Sequence, residues 1–302
     1  MPCTATVQGF LPPLRGSDSM MTTLDINDEK ITGRKVYEVL AETFRQMYVA
    51  PYEGATPVYK GIVERGEEPP QRSLSHFKMS EDDSLEYVDT PAGRVLCATI
   101  RDRHDFETIL EIMGNRCEPE DIPVTQGATI LDGVINRRKF ERGLDYHDAL
   151  IVLSVGPYSG ITADRMGVSD DEWIKTSDTI RRYHECTHFI CRRLYPDQKD
   201  AIWDELVADA TGLYAAYGSF DPEKEKVFLG IEGEKYVHGR LENYVEADLP
   251  EEKRDEAQKL VGRILPVLDE FAAIVSEAGG IPPFEMAIRL EESMDRLWKT
   301  NL

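Results

Sequence analysis

The sequence predicts an α+β fold, with an N-terminal α/β lobe built on a small sheet and a mainly helical C-terminal lobe. A β-hairpin pattern and an apolar, β-branched strand pattern predict the sheet, and helical periodicity dominates the second half of the chain. At 302 residues the chain can bury a sizeable core. We expect a flexible segment at residues 1–32, an α+β lobe at 33–168 and a helical lobe at 169–302, either as separate lobes or as one integrated domain.

The N-terminal lobe begins with an amphipathic helix predicted at residues 33–49, where apolar side chains recur at helical spacing. Residues 50–73 are rich in proline, glycine and charge, and we expect them to form an extended connection. The sequence Thr90-Pro91-Ala92-Gly93 has the composition of a β-turn and predicts a hairpin between strands at 84–89 and 94–100.

Three further elements are predicted in this lobe. Apolar spacing indicates a helix at residues 105–113 and another at 128–142, the second despite Gly133. Residues 148–155 form the strongest strand pattern of the chain, a β-branched apolar run that stops at Gly156-Pro157.

Helices make up the C-terminal lobe. Ser169 supplies an N-cap, followed by an acidic first turn, for a helix that continues to about Leu194. The next helix is capped by Asp197 or Asp200 and stops at Gly218. The helices predicted in the last third are residues 250–278 and 284–298.

The composition excludes several classes of function. A formal charge of −21 argues against nucleic acid as a partner, because phosphate recognition depends on Lys and Arg. The longest apolar run, residues 149–155, is too short to cross a bilayer, and residues 1–21 show no secretory signal. Five cysteines without CxxC spacing suggest neither a disulfide framework nor a cysteine zinc site. We therefore expect a cytoplasmic protein that binds no membrane.

One motif carries chemistry. His184-Glu185-Cys186-Thr187-His188 places two histidines four residues apart on one helix face, so both rings can reach a single metal ion. Glu185 would lie beside that ion, where it could take a proton from a water molecule. The alternative is that both histidines are hydrogen-bonded core residues and that Glu185 pairs with Arg181 one turn earlier. We also expect Arg181 to lie on the solvent-facing side of this helix.

The following helix contributes carboxylates to the same chemistry. Glu205 and Asp209 share an inward stripe with leucines, and buried carboxylates are costly unless they are paired or bind a metal. Glu205 can complete a His2Glu set with an open fourth position, and Asp209 can accept the free ring N–H of a histidine ligand. Asp204 is the poorer ligand candidate, because it lies off this stripe.

These residues resemble the zincin metallopeptidases, specifically the glutamate-ligand branch called gluzincins. The resemblance covers about residues 169–218 and implies a zincin-like fold, in which the motif helix lies between two lobes. It also implies that His184, His188 and Glu205 bind one Zn2+ ion, that Glu185 is the general base, and that Asp209 supports a histidine.

A second group of candidates concerns the substrate. Residues 236–244 follow two glycines and offer groups that could stabilise a developing oxyanion, of which we select His238 first and Tyr244 second. An extended substrate would pair with an edge strand, for which residues 148–155 and 94–100 are the candidates. Uniform apolarity of residues 148–155 also fits a buried central strand.

The predicted function is that of a soluble zinc-dependent metallopeptidase acting on a peptide or protein substrate. One alternative is a zinc hydrolase of a non-peptide amide. Another is a zincin-like binding or sensing domain in which zinc is structural, and the presence of Glu185 disfavours it because a structural site needs no base. The sequence specifies neither the substrate nor the oligomeric state.

Overall fold

The computed structural model describes residues 30–143, 145, 147–245 and 249–299. The chain divides into two compact units, the first ending at Val155 and the second beginning at Gly156. This division comes before the boundary expected after residue 168, because Tyr158 and Ala163 belong to the core of the helical unit. The flexible segment expected at residues 1–32 falls almost wholly outside the described residues.

The described elements of the first unit are β1 (Ile31–Thr32), α1 (Arg34–Thr43), α2 (Thr56–Val63), β2 (Ser84–Thr90), β3 (Gly93–Ile100), α3 (Arg103–Met113), β4 (Ala128–Ile135), α4 (Arg137–Glu141) and β5 (His147–Ser154). The strands form a five-stranded sheet in the order β1-β2-β3-β5-β4, in which β3 and β5 are parallel and the other pairs are antiparallel. The helix predicted at residues 33–49 ends at Thr43, because Phe44 is not helical, and a separate 3-10 turn at Arg45–Tyr48 follows it.

The predicted hairpin and the strand at residues 148–155 are confirmed, whereas the helix at residues 128–142 is wrong. Most of that range forms β4, which pairs with β5 and leaves only a short helix after it. The pairing shifts register between Asp132 and Val134, and Gly133 adopts a positive φ of 73° at that point. The glycine therefore marks a β-bulge. Whether these residues form a helix or a bulged strand depends on the partner strand β5, which the local periodicity does not reveal.

The extended connection expected at residues 50–73 is also wrong in part, because α2 lies within it. The carboxylate of Glu118 accepts hydrogen bonds from the backbone N–H of Gly54 (2.7 Å) and of Thr56 (2.8 Å), at the start of α2. This cap comes from more than 60 positions away, so the local sequence shows no capping residue.

Neither strand proposed to bind an extended substrate lies at an edge of the sheet. β3 lies between β2 and β5, and β5 lies between β3 and β4, so both strands have partners on both sides. The edge-strand prediction is therefore wrong, and the reading of β5 as a buried central strand is confirmed.

The second unit is mainly helical. Its described elements are α5 (Ala163–Met166), α6 (Asp170–Leu194), α7 (Ala201–Tyr217), α8 (Pro222–Leu229), β6 (Ile231–Glu232), β7 (Lys235–Tyr236), α9 (Pro250–Ala278), α10 (Pro283–Glu292) and α11 (Met294–Leu297). The strands β6 and β7 pair into a small two-stranded sheet. A 3-10 turn at Tyr158–Gly160 precedes α5, and another at Arg240–Tyr244 follows the small sheet.

The ends of α6 and α7 follow from their capping residues. Ser169 accepts a hydrogen bond from the N–H of Glu172 at the start of α6, and Asp200 accepts from the first turn of α7. Gly218 ends α7 in the left-handed conformation with φ of 71°. The helix expected at residues 284–298 is broken at Ser293 into α10 and α11.

Close packing of α6 on α7 positions the motif residues. Gly212 of α7 lies so near α6 that an added Cβ would be 2.7 Å from the carbonyl oxygen of Ile180. Trp203, Leu206 and Leu213 pack into the core that α7 shares with α9. Within the described residues, no helix is both long enough and apolar enough to span a membrane.

Candidate metal centre

The two histidines of α6 lie together on its buried face. His184 and His188 are each 5% exposed, and their Nε2 atoms are 2.9 Å apart. The rings meet nearly at right angles, with centroids 4.5 Å apart. The four-residue spacing thus points both Nε2 atoms at one position, as the motif predicts.

Glu205 of α7 completes the set. Its two carboxylate oxygens lie 3.5 Å from His184 Nε2 and 3.5 Å from His188 Nε2, respectively. Neighbouring ligands of a tetrahedral zinc ion are about 3.3 Å apart, given zinc–nitrogen bonds of roughly 2.0 Å. The three side chains form a group whose ligand atoms lie within 4.8 Å of one another, so they fit a single metal ion.

A carboxylate fixes the other ring nitrogen of each histidine. His184 Nδ1 lies 2.7 Å from Asp209 Oδ1, and His188 Nδ1 lies 2.8 Å from Asp204 Oδ2. A carboxylate accepts the Nδ1 proton, which leaves the Nε2 lone pair available for a metal. The geometry is that of carboxylate–histidine–metal triads, and it supports the expected role of Asp209.

The role of Asp204 was missed by sequence reasoning. Its position off the inward stripe of α7 argues against its being a ligand, and the same position places it beside His188. The two residues are 16 positions apart on different helices. Only the crossing of α6 and α7 brings them together, so the spacing carries no signal for the contact.

The general-base candidate Glu185 follows His184 on α6 and is partly buried. Burial, and the nearby carboxylate of Glu205, raise its pKa above the ordinary value, even though His188 opposes the shift. The prediction that Arg181 faces solvent is wrong. Arg181 is 4% exposed, donates to the Gly156 carbonyl oxygen (2.9 Å) and lies 3.5 Å from Asp178.

The segment after β7 supplies two groups to the site. Tyr244 lies beside the carboxylate of Glu205 and helps to lower the pKa of that carboxyl group. Arg240 forms an ion pair with Asp209 and donates to the hydroxyl of Tyr158 at 3.1 Å. The structure does not bring His238 into this group, since its ring is exposed and lies 3.5 Å from Glu242. Of the two residues predicted to stabilise an oxyanion, Tyr244 thus lies in this group and His238 does not, and the role itself stays a prediction.

Tyr158 is a second residue that sequence reasoning missed. Its hydroxyl donates to Asp209 Oδ1 at 2.5 Å and lies 2.9 Å from His184 Nδ1. The tyrosine lies within residues 156–160, whose glycine and proline content predicts a turn and gives no indication of a role at the site. A tyrosine flanked by glycine and proline gives no chemical signal by itself.

The buried charges interact strongly. Burial lowers the pKa of His184, and the charge of its neighbour His188 lowers it further. Burial also acts to lower the pKa of His188, but the carboxylates of Asp204 and Glu205 outweigh it and raise that pKa to about 9. The carboxylates therefore make His188 the more basic of the two rings, although the Nε2 atoms of the pair are only 2.9 Å apart.

The same balance keeps Glu205 ionised. Burial acts to raise its pKa, but the positive charge on the two histidines and on Arg240 lowers the pKa below the ordinary value. Another acidic side chain near this site, Glu225 of α8, is fully buried and neither of its oxygens accepts a hydrogen bond. Burial raises the pKa of Glu225 well above its usual range, and the Glu205 carboxylate adds to the shift.

A family of unknown function (DUF7005) matches this chain over residues 17–145 and 141–283. No curated protein and no solved structure matches it.

Proposed function

The chain belongs to this family of unknown function, and we propose that it is a zinc-dependent hydrolase of peptide bonds. One observation carries the proposal: His184, His188 and Glu205 present three ligand atoms to one point, and carboxylates fix the far side of both histidines. Two nitrogens and one oxygen are the donor set of many catalytic zinc sites, and they leave a fourth position open.

The residues around this point fit zinc better than an ion with all-oxygen preference. Imidazole nitrogen suits zinc, whereas magnesium and calcium favour carboxylate, carbonyl and water oxygens. A zinc ion held there would supply Lewis acidity toward a substrate carbonyl and would acidify a water molecule.

Glu185 supports a catalytic role over a purely structural one. It follows directly after His184, and its raised pKa brings it nearer to neutrality, where a general base is most effective. In the proposed reaction Glu185 accepts a proton from the attacking water and returns it to the leaving amine. A structural zinc site has no use for such a residue.

Tyr244 is the donor that we assign to the developing negative charge on the substrate carbonyl oxygen, because it lies beside the metal-site carboxylate of Glu205. A preorganised donor of this kind contributes on the order of 3 kcal/mol to transition-state stabilisation. Arg240 contacts Asp209 and Tyr158 instead, on the side of His184 away from its Nε2 atom.

The experiment measures metal content and peptide cleavage together. Elemental mass spectrometry of the purified protein should find about one zinc per chain, and Glu205→Ala should lose it. Glu185→Gln should keep the zinc but cleave a peptide library at least about 100-fold more slowly. The matched control is Glu277→Gln, at an exposed position of α9, which should leave both quantities unchanged.

Each other outcome has a definite meaning. If the purified protein contains no zinc and does not bind added zinc, the proposal is overturned, and the two histidines are hydrogen-bonded core residues. Zinc binding with full function in Glu185→Gln would favour a binding or sensing domain. Cleavage of small amides, with peptide libraries left intact by the wild type, would favour the non-peptide hydrolase.

A further inference from the structure

Tyr158 lies at the junction of four separate segments. It comes from the 3-10 turn before α5, and its hydroxyl group contacts His184 of α6, Asp209 of α7 and Arg240 of the last 3-10 turn. The side chain is 5% exposed. A tyrosine hydroxyl buried at this depth requires hydrogen-bond partners, and these three residues provide them.

The direction of each hydrogen bond follows from the groups involved. Arg240 can only donate, so the Tyr158 oxygen accepts from its Nη1 at 3.1 Å. The carboxylate of Asp209 can only accept, so it receives the tyrosine proton at 2.5 Å. Asp209 Oδ1 also faces His184 Nδ1 at 2.7 Å. One carboxylate oxygen therefore holds both the tyrosine and the histidine.

Arg240 closes this network into a ring. Its Nη2 forms an ion pair with Asp209 Oδ2, while its Nη1 donates to Tyr158. The Asp209 carboxylate thus accepts a hydrogen bond from Tyr158 at Oδ1 and pairs with the Arg240 charge at Oδ2, and its rotation would disrupt both contacts. Because Asp209 fixes the ring of His184, the tyrosine hydroxyl acts on the histidine through the aspartate.

We propose that Tyr158 is a positioning residue of the metal centre. Its hydroxyl fixes Asp209 so that His184 presents Nε2 to the metal, and it holds Arg240 in place beside the site. This inference rests on the proposed function, because it concerns the same metal ion. It adds a residue that neither the His-Glu-x-x-His motif nor the carboxylate stripe of α7 contains.

A role in packing alone is the competing explanation. The Tyr158 ring meets Phe228 edge to face, with centroids 5.1 Å apart, and the Tyr158 backbone N–H donates to Ser177 at 2.9 Å. Phenylalanine would retain both of these contacts and would lose only the hydroxyl. Tyr158→Phe therefore separates positioning from packing.

Tyr214 provides a matched control in the same helical unit. It is also 5% exposed, and its hydroxyl donates to the carbonyl oxygen of Ile281 at 2.8 Å. Tyr214→Phe removes a buried tyrosine hydrogen bond of comparable length without touching a metal-site residue. The zinc dissociation constant is measured by chelator competition, and the visible spectrum of the Co2+-substituted protein reports ligand geometry.

We expect Tyr158→Phe to raise the zinc dissociation constant about tenfold or more and to shift the Co2+ spectrum. Tyr214→Phe should change neither. In an Asp209→Asn background, Tyr158→Phe should weaken zinc binding by less than about twofold, since its effect passes through Asp209.

Three results would overturn the inference. Wild-type zinc affinity and spectrum in Tyr158→Phe would reduce the residue to packing. Equal losses in Tyr158→Phe and Tyr214→Phe would trace the effect to general destabilisation. Additive losses with Asp209→Asn would show that the hydroxyl does not act through the aspartate. A wild type that binds no zinc is a separate failure, of the proposed function itself.

Discussion

Gly212 lies where α7 crosses α6, and replacing it with alanine should disturb the two helices that carry the proposed metal ligands. An added Cβ would lie 2.7 Å from the carbonyl oxygen of Ile180 and 3.0 Å from its Cγ2. The carbonyl oxygen belongs to the backbone of α6, so no side-chain rotation can relieve the contact. The helices themselves must separate.

The size of this separation follows from the contact distance. Ordinary van der Waals contact begins at 3.4 Å, so the shortfall is about 0.7 Å. Overpacking of this kind costs roughly 1–3 kcal/mol, whereas alanine gains about 1 kcal/mol over glycine in a helix interior. The free energy of unfolding should therefore fall. Asp209 lies one turn from Gly212, so the 2.7 Å contact between His184 and Asp209 should lengthen as well.

Gly262 of α9 is the control for helix propensity. Nothing lies within 4 Å of a Cβ built on it, so Gly262→Ala should raise the free energy of unfolding by about 0.5–1 kcal/mol. Urea denaturation in the presence of a chelator measures both variants without a metal contribution. Zinc affinity, measured separately, should fall about tenfold in Gly212→Ala and stay unchanged in Gly262→Ala.

The sign of the change in the free energy of unfolding of Gly212→Ala distinguishes helix crowding from helix propensity. If Gly212→Ala is stabilised as much as Gly262→Ala, propensity alone is at work and α6 and α7 do not approach as closely as described. If Gly212→Ala is destabilised but binds zinc normally, the crossing supports the core without setting the ligand geometry.

Two further predictions concern single carboxyl groups. Asp204→Asn should weaken zinc binding on the order of tenfold, because His188 loses the carboxylate that fixes its ring. Asp197→Asn, at an exposed position, should leave zinc binding unchanged. Chelator competition measures the zinc affinity of both variants. Because the folded-state pKa of Glu225 is raised above 4.5, metal-free stability is lost as pH rises from that value toward the folded pKa. The free energy of unfolding of Glu225→Gln, relative to that of the wild type, should therefore rise from pH 5 to pH 8 by up to about 1.4 kcal/mol per pH unit. Urea titrations of the metal-free proteins at the two pH values measure it. The same difference between variant and wild type at pH 5 and at pH 8 would contradict the prediction.

The helices that carry the candidate site were predictable because their signals are local. Ser169, Asp200 and Gly218 mark helix ends within one turn of the residues they cap, and the periodicity of α6 and α7 spans many turns. The same periodicity placed His184 and Glu205 on inward faces. Elements whose identity depends on a distant partner were not predictable in this way.

β4 and α2 illustrate that limit. The apolar residues of β4 fit helical spacing as well as a strand, and pairing with β5 decides between them. The start of α2 is capped by Glu118, which is remote in sequence. In both cases a contact between distant segments overrides the local pattern, as β-propensity in particular is known to depend on context.

In the candidate site, too, the proposed metal ligands were predictable from local spacing, whereas the residues that hold them in place were not. The ligands lie on two consecutive helices, and their spacing is visible in the sequence. Tyr158 and Arg240 are 82 positions apart, and each comes from a short turn without periodicity. The choice of His238 over Arg240 within one segment was a choice by chemistry alone, and only geometry shows which side chain turns inward.

The charged groups of the cluster give a second argument for a cation at this site. The carboxylates of Asp204, Glu205 and Asp209 lie beside the two histidines, and Arg240 pairs with Asp209. Carboxylates gathered in a largely buried site are costly unless cations balance them. A metal ion bound where both Nε2 atoms converge would supply that balance, which is a reason for the proposed metal centre that does not depend on the spacing of the motif.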